Sequence, residues 1–128
     1  MPTDPRRDGP GPGSPAPDRL AVFLSRGDGE ALRLAGSAAL AAAAMGRRVD
    51  VFLLGAAVRP VVEAGDDEGA PGHRLHQARA AGCRLFACSE SWVAAGLPPG
   101  AGEGALDAVV GWPTILEWTR GVVDRLSL

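Results

Sequence analysis

The sequence predicts a three-layer α/β/α domain built on a mainly parallel sheet of about five strands. Two observations carry that reading. Short continuous apolar runs, LAVFLS (20–25), VDVFLLG (49–55) and CRLFAC (83–88), have the character of strands buried on both faces, and they alternate with stretches of helical character. The connections between them are long enough for right-handed parallel crossovers, so strands and helices interleave as in α/β proteins.

The elements follow in order. LAVFLS ends in RGDG, where Asp28 can cap a helix and Glu30 is favourably placed in its first turn. That helix is expected from about Gly29 to Met45, rich in Ala and Leu, with Gly46 as its stop signal. VDVFLLG is the second strand. From Ala56 a broken helical turn is expected, then an exposed loop GDDEGAPG (65–72) and a helix HRLHQARAAG (73–82). CRLFAC is the third strand, followed by a short helix SESWVAAG capped by Ser89 or Ser91. After the loop LPPGAGEGA, a fourth strand ALDAVV (105–110) leads to GWP, which places Pro113 at the first position of a last helix. Ile115, Leu116, Thr119, Val122 and Val123 give that helix its periodicity, Gly121 weakens it, and RLSL (125–128) closes the sheet.

Residues 1–18, MPTDPRRDGPGPGSPAPD, carry too little apolar surface to bury and read as a disordered tail, leaving residues 19–128 as the domain. A domain of that size needs no disulfide staples. The formal net charge is −2 and the 13 basic residues, all arginine, are scattered along the chain, which argues against a nucleic-acid partner. Arg6-Arg7 is not followed by the apolar segment an export signal needs, and SAALAAAAMG is about half of the roughly 20 residues a membrane span requires. The expectation is a cytoplasmic protein with reduced thiols and no membrane partner.

Cys83 and Cys88 bear on chemistry. Five positions apart on one strand, they point to opposite faces about 16 Å apart, beyond the reach of a disulfide. Cys83, at the start of the strand, reads as a small buried residue. Cys88 lies at the carboxyl end, where open α/β sheets bind ligands, and directly before a helix amino terminus that favours a thiolate over a thiol. It reads either as a reactive thiol or as a core filler. Glu90 opposes the thiolate if its carboxylate faces the sulfur, and Arg26 could offset Glu90.

The loop SRGDGEA lacks the third glycine of a dinucleotide fingerprint and any Gly-Lys-Ser/Thr, so it is a helix-starting turn. Placed at the carboxyl edge beside Cys88, its Ser25, Arg26 and Asp28, together with Ser89, Glu90 and Trp92, are the candidate pocket residues. Trp92, Trp112 and Trp118 are otherwise expected in the core, with Trp92 able to wall the pocket or join a partner surface. His73 and His76 share a helix face, but with these cysteines they match no compact zinc pattern, so neither a metal site nor a cofactor is expected.

Taken together, LAVFLS with RGDGEA, the alanine-rich helix ending in AAMG, VDVFLLG, AAGCRLFACSESWVAAGL and the closing VVDRLSL resemble the DsrE/DsrF-like family of small sulfur-relay proteins over residues 19–128. The resemblance implies a parallel-sheet α/β fold, homo- or hetero-oligomers, and a cysteine that carries sulfur as a persulfide. Cys88 matches that cysteine. The implied activity is that of a persulfide carrier or sulfurtransferase, with sulfur donor and acceptor proteins as partners and the resolving thiol on another chain, because Cys83 is out of reach. The alternative is a non-catalytic module of the same fold that binds a small ligand or a protein. A thiol redox protein is disfavoured, since Cys88 has no second cysteine within reach.

Overall fold

The computed structural model describes residues 18–128, so all of the expected tail but its last residue, with the Arg6-Arg7 pair, lies outside the described residues. Five strands, β1 (Arg19–Leu24), β2 (Arg48–Leu53), β3 (Arg84–Cys88), β4 (Ala108–Val110) and β5 (Asp124–Ser127), form one sheet in the order β4-β3-β2-β1-β5, with every pairing parallel. The helices are α1 (Gly29–Ala44), α2 (Val58–Ala64), α3 (His73–Ala80), α4 (Ser89–Ala94) and α5 (Trp112–Trp118).

From β1 to β4 the chain steps along the sheet in one direction, then returns past β1 to place β5 on the other edge. Because parallel crossovers are right-handed, that reversal puts the last crossover on the opposite face. The two cores reflect this arrangement. One gathers α1, α2, α3 and Trp92 of α4 against Val22, Leu24, Val51, Leu53, Leu85 and Ala87. The other lies under α5 and holds Ala21, Phe52, Phe86, Cys88, Ile115 and Val122. Here Phe23, Phe52 and Phe86 stack across three adjacent strands at centroid separations of 5.4 and 5.5 Å, and Trp118 of α5 meets Phe86 at 5.0 Å.

The α1 start behaves as expected: Asp28 accepts from the Ala31 backbone N–H at 3.2 Å. Other boundaries move. The broken turn at Ala56 is a 3-10 turn over Gly55–Ala57 running into the seven-residue α2. Neither Ser89 nor Ser91 caps α4; Cys88 occupies the N-cap position, and Ser91 Oγ instead accepts from the Gly55 N–H at 2.8 Å. The fourth strand is shorter than expected, Ala108–Val110, and Asp107 just ahead of it donates its backbone N–H to the Leu85 carbonyl at 2.8 Å while its side chain accepts from the Leu85 N–H at 2.7 Å. Pro113 is the second residue of α5, behind Trp112. That helix stops at Trp118, so Val122 reaches the core from a loop and Val123 faces solvent.

Candidate functional site

Parallel strands bring their carboxyl ends to one edge, and Cys88 lies there as the last residue of β3. Strand alternation, odd positions 85 and 87 in the α1-side core and even positions 86 and 88 in the α5-side core, decides where its side chain goes. Cys83, just ahead of β3, falls in the α1-side core, where its Sγ donates to the Ala39 carbonyl at 3.5 Å. The two thiols therefore face opposite cores, as the spacing predicts, and both are free. Cys88 is 1 % exposed in this chain. Its cover is the α5 layer, a single seven-residue helix, whereas the other face carries four helices.

Of the remaining candidates, Ser89 and Glu90 follow Cys88 directly at the start of α4, and the others come from elsewhere in the fold. Ser25, Arg26 and Asp28 follow β1, and β2 intervenes, so two strand spacings, roughly 10 Å, separate that loop from β3. Ser25 Oγ donates to the Leu128 carbonyl at 3.1 Å. Arg26 forms an exposed ion pair with Asp28 at 2.9 Å. The Ala31 N–H, followed by the Arg26 guanidinium, holds the Asp28 carboxyl below its ordinary range. Ser89 is exposed beside Cys88. Trp92 is buried in the α1-side core, across the sheet from the Cys88 thiol, and lines a cavity of about 450 Å³ along β4 with Leu106 and Gly102. Of the other tryptophans, Trp118 is half-buried and Trp112, expected in the core, is 41 % exposed.

A cavity of about 430 Å³ does open at the carboxyl edge, between α2 and α4, lined by Gly55, Ala56, Arg59, Glu90, Ser91 and Ala95. Glu90 thus faces this cavity on the α1 side, and Cys88 is not among the lining residues. Arg59 closes one wall by donating to the Ala95 carbonyl and pairing with Glu63 at 2.9 Å. Gly27 lets the loop after β1 approach the 3-10 turn, since a Cβ there would stand 2.3 Å from the Ala56 carbonyl oxygen.

The sequence reading missed a charged cluster inside the α5 face, where arginines that look scattered along the chain converge. Arg84 Nε donates to Asp50 Oδ1 at 2.7 Å with both side chains buried, and the Arg84 guanidinium lies 5.3 Å from the centroid of the Phe86 ring. Burial pushes the Asp50 carboxyl up against the opposing pull of Arg84, and the same burial pushes Arg84 down. Arg19, on the neighbouring strand, donates to the Trp118 carbonyl at the end of α5. Charged residues at even positions of otherwise apolar strands, 50 and 84, were the available signal.

An all-parallel sheet with helices on both faces, connected in this order, is an open α/β fold of the kind whose ligands, where it has them, generally bind outside the carboxyl ends of the strands. The DsrE/DsrF-like family profile matches residues 18–120, and the chain belongs to that family. Among solved structures it is similar to a conserved protein of unknown function, BT1422, from Bacteroides thetaiotaomicron, with a TM-score of 0.72 and 17 % identity over 88 % of this chain and 97 % of that one. It is also similar to the ychN protein from E. coli, with a TM-score of 0.62 and 17 % identity over 86 % and 97 % of the two chains. At these identities the likeness concerns the fold. Comparison with curated proteins finds no match. Among the described residues no helix is long and apolar enough to cross a membrane.

Proposed function

We propose that this protein is a small persulfide carrier of the sulfurtransferase type, with residues 19–128 as its working domain in the reducing cytoplasm and Cys88 as the sulfur-bearing nucleophile. The observation that carries the reading is the position of Cys88 in a DsrE/DsrF-like chain: it is the thiol at the sheet's carboxyl edge, under the more thinly covered face.

The chemistry balances without an oxidant. The Cys88 thiolate attacks the terminal sulfur of a donor cysteine persulfide; a new S–S bond forms on Cys88, the donor's S–S bond breaks, and the donor leaves as a thiolate. An acceptor thiolate then attacks the same terminal sulfur and regenerates Cys88. Cys83 faces the other core, so donor and acceptor thiols come from other chains. Because Cys88 is buried, each exchange requires local opening of the α5 layer, the kind of sub-global motion available to a short peripheral helix. Trp112 and Leu116, 41 % and 65 % exposed and one turn apart on α5, support a docking or assembly surface on that side.

A second reading is favoured by the same burial and by the α2–α4 cavity: a module of this fold that binds a small ligand or a protein without thiol chemistry. Intact-mass spectrometry of wild type, Cys83→Ser and Cys88→Ser after incubation with a cysteine desulfurase and cysteine separates the two. An adduct of about 32 Da that persists in Cys83→Ser and vanishes in Cys88→Ser supports the carrier. No adduct on folded protein, with the desulfurase active, leaves the binding module.

A further inference from the structure

β4 is the last strand on its side of the sheet, so one of its edges pairs with β3 and the other with no strand among the described residues. The bonding on the paired side decides which backbone groups face out. Leu85 of β3 turns both of its groups toward β4: its C=O accepts from the Asp107 N–H at 2.8 Å and its N–H donates to Asp107 Oδ2 at 2.7 Å. Successive residues of a strand bond to opposite sides, so Ala87 turns toward β4 as well. Val109 stands opposite Ala87 in the register. In a parallel ladder only one residue of such a pair directs its N–H and C=O at the other strand, so those of Val109 point outward.

The Val109 side chain, 43 % exposed, lies on the α1 face, since Ala108 and Val110 pack on the α5 side. With Trp92, Pro99 and Leu106 it lines the cavity of about 450 Å³ beside β4. That cavity is preformed. A Cβ on Gly102 would stand 2.8 Å from Trp92 Cη2, so the loop before β4 lies directly on the indole. The Leu106 N–H closes the loop on the Gly102 carbonyl at 3.0 Å, and Arg79 holds it from outside through the Gly104 carbonyl and Asp107.

An outward-facing backbone pair beside an apolar cavity is the geometry by which an extended segment joins a sheet edge: main-chain bonds hold it and a side chain enters the cavity. Charge selects the segment. Of the two carboxylates in the lining, Asp107 is matched by Arg79, and Glu103 stands exposed and gives the lining its negative charge. Side chains two positions apart on an extended segment share a face, so a basic residue two positions from the anchor lies on the side of Glu103. A second copy of this edge fits less well. Its own sequence there, GALDAVVG (104–111), carries an acid and no base, and pairing two copies brings two Glu103 carboxylates to one interface.

We propose that the outer edge of β4 and the Trp92–Leu106 cavity bind an extended segment of a partner protein, with a large apolar side chain in the cavity and a Lys or Arg two positions away facing Glu103. Trp92 and Cys88 lie in different cores, so this surface is across the sheet from the thiol and involves no thiol chemistry. It therefore stands or falls independently of the sulfur-carrier reading.

The test is titration of ¹⁵N-labelled full-length protein with the peptide GKVLVKG, read as amide shift changes, with GEVLVEG as its acidic counterpart. Saturable shifts centred on residues 99–109 and Trp92 are expected with the basic peptide, at a Kd between about 10 µM and 1 mM. Val109→Pro removes the outward N–H and leaves the bonds to β3, a replacement that edge strands tolerate, and should abolish binding. Glu103→Gln should weaken binding about two- to fivefold and flatten its salt dependence. If Val109→Pro fails to fold, Val109→Lys, at an exposed side chain, carries the same expectation as Val109→Pro. Absence of saturable shifts with the basic peptide, equal affinity for the acidic one, or unchanged binding by the folded Val109 variant overturns the proposal. So does a concentration-dependent dimer, seen by sedimentation without peptide and removed by the Val109 variant, which would assign this edge to a second copy of the chain.

Discussion

Cys83 and Cys88 bracket one strand and face opposite cores, so the only two thiols of the chain are separated by the sheet itself. Mild oxidation of native protein should therefore give no intramolecular disulfide. Both thiols should remain titratable on unfolding, and a disulfide formed without unfolding would contradict the fold.

The covers of the two thiols differ. Cys88 lies under one seven-residue helix, and Cys83 under the layer that contains the sixteen-residue α1. Native alkylation followed by peptide mass spectrometry should modify Cys88 faster than Cys83, because opening a short peripheral helix disturbs less packed surface. Faster labelling of Cys83 would remove the basis for access through α5.

The Asp50–Arg84 pair should behave as a buried ion pair. Removing one partner leaves a charge without its counterpart in the core, at a cost of about 3–5 kcal/mol. Asp50→Asn should cost more than Arg84→Met, since Arg19 and Arg48 also act on Asp50 and would be left facing Arg84 uncompensated. The double replacement Asp50→Leu/Arg84→Met should recover much of the loss, read as urea unfolding midpoints. Equal costs for the two single variants would contradict a net positive cluster.

Acid stability should depend on Asp28. Its folded-state carboxyl is depressed by the Ala31 N–H, so its contribution is present above the ordinary carboxylate range and is lost as pH falls through the depressed value. Asp28→Asn keeps a capping oxygen that cannot titrate. Thermal unfolding of wild type and Asp28→Asn from pH 6 to 2 should show wild type losing stability relative to the variant at the acid end. Asp50, raised by burial, has the opposite sign and cancels in that difference.

Gly27→Ala should destabilise the carboxyl edge. The added methyl meets a backbone oxygen at 2.3 Å, so one loop must move, at a cost of about 1–3 kcal/mol. Gly46→Ala, at a positive φ of 81° with open space around its Cβ position, separates backbone strain from this close approach, and chemical denaturation of both variants compares them.

Local chemistry was legible from the residues alone. The strand cores, the Asp28 cap and the facing of each cysteine follow from period-two alternation and from which backbone groups a side chain can satisfy, and none depends on distant partners. Helix ends were legible only within a few residues, because α5 stops where Arg19 and Arg125, from β1 and β5, bond the carbonyls of Trp118, Thr119 and Val122.

What only the tertiary structure decided is which strands are neighbours. Strand order placed β2 between the loop after β1 and Cys88, so two strand spacings separate Ser25, Arg26 and Asp28 from the strand that carries the thiol. The same order brought Arg84 of β3 onto Asp50 of β2. The loops after α2 and before β4 likewise meet α3 only in the folded chain, which is how Asp66 and Glu103 come to line one cavity with His73 and His76. Sequence spacing fixes contacts along an element, whereas contacts between elements depend on the handedness of crossovers and on the burial they jointly achieve.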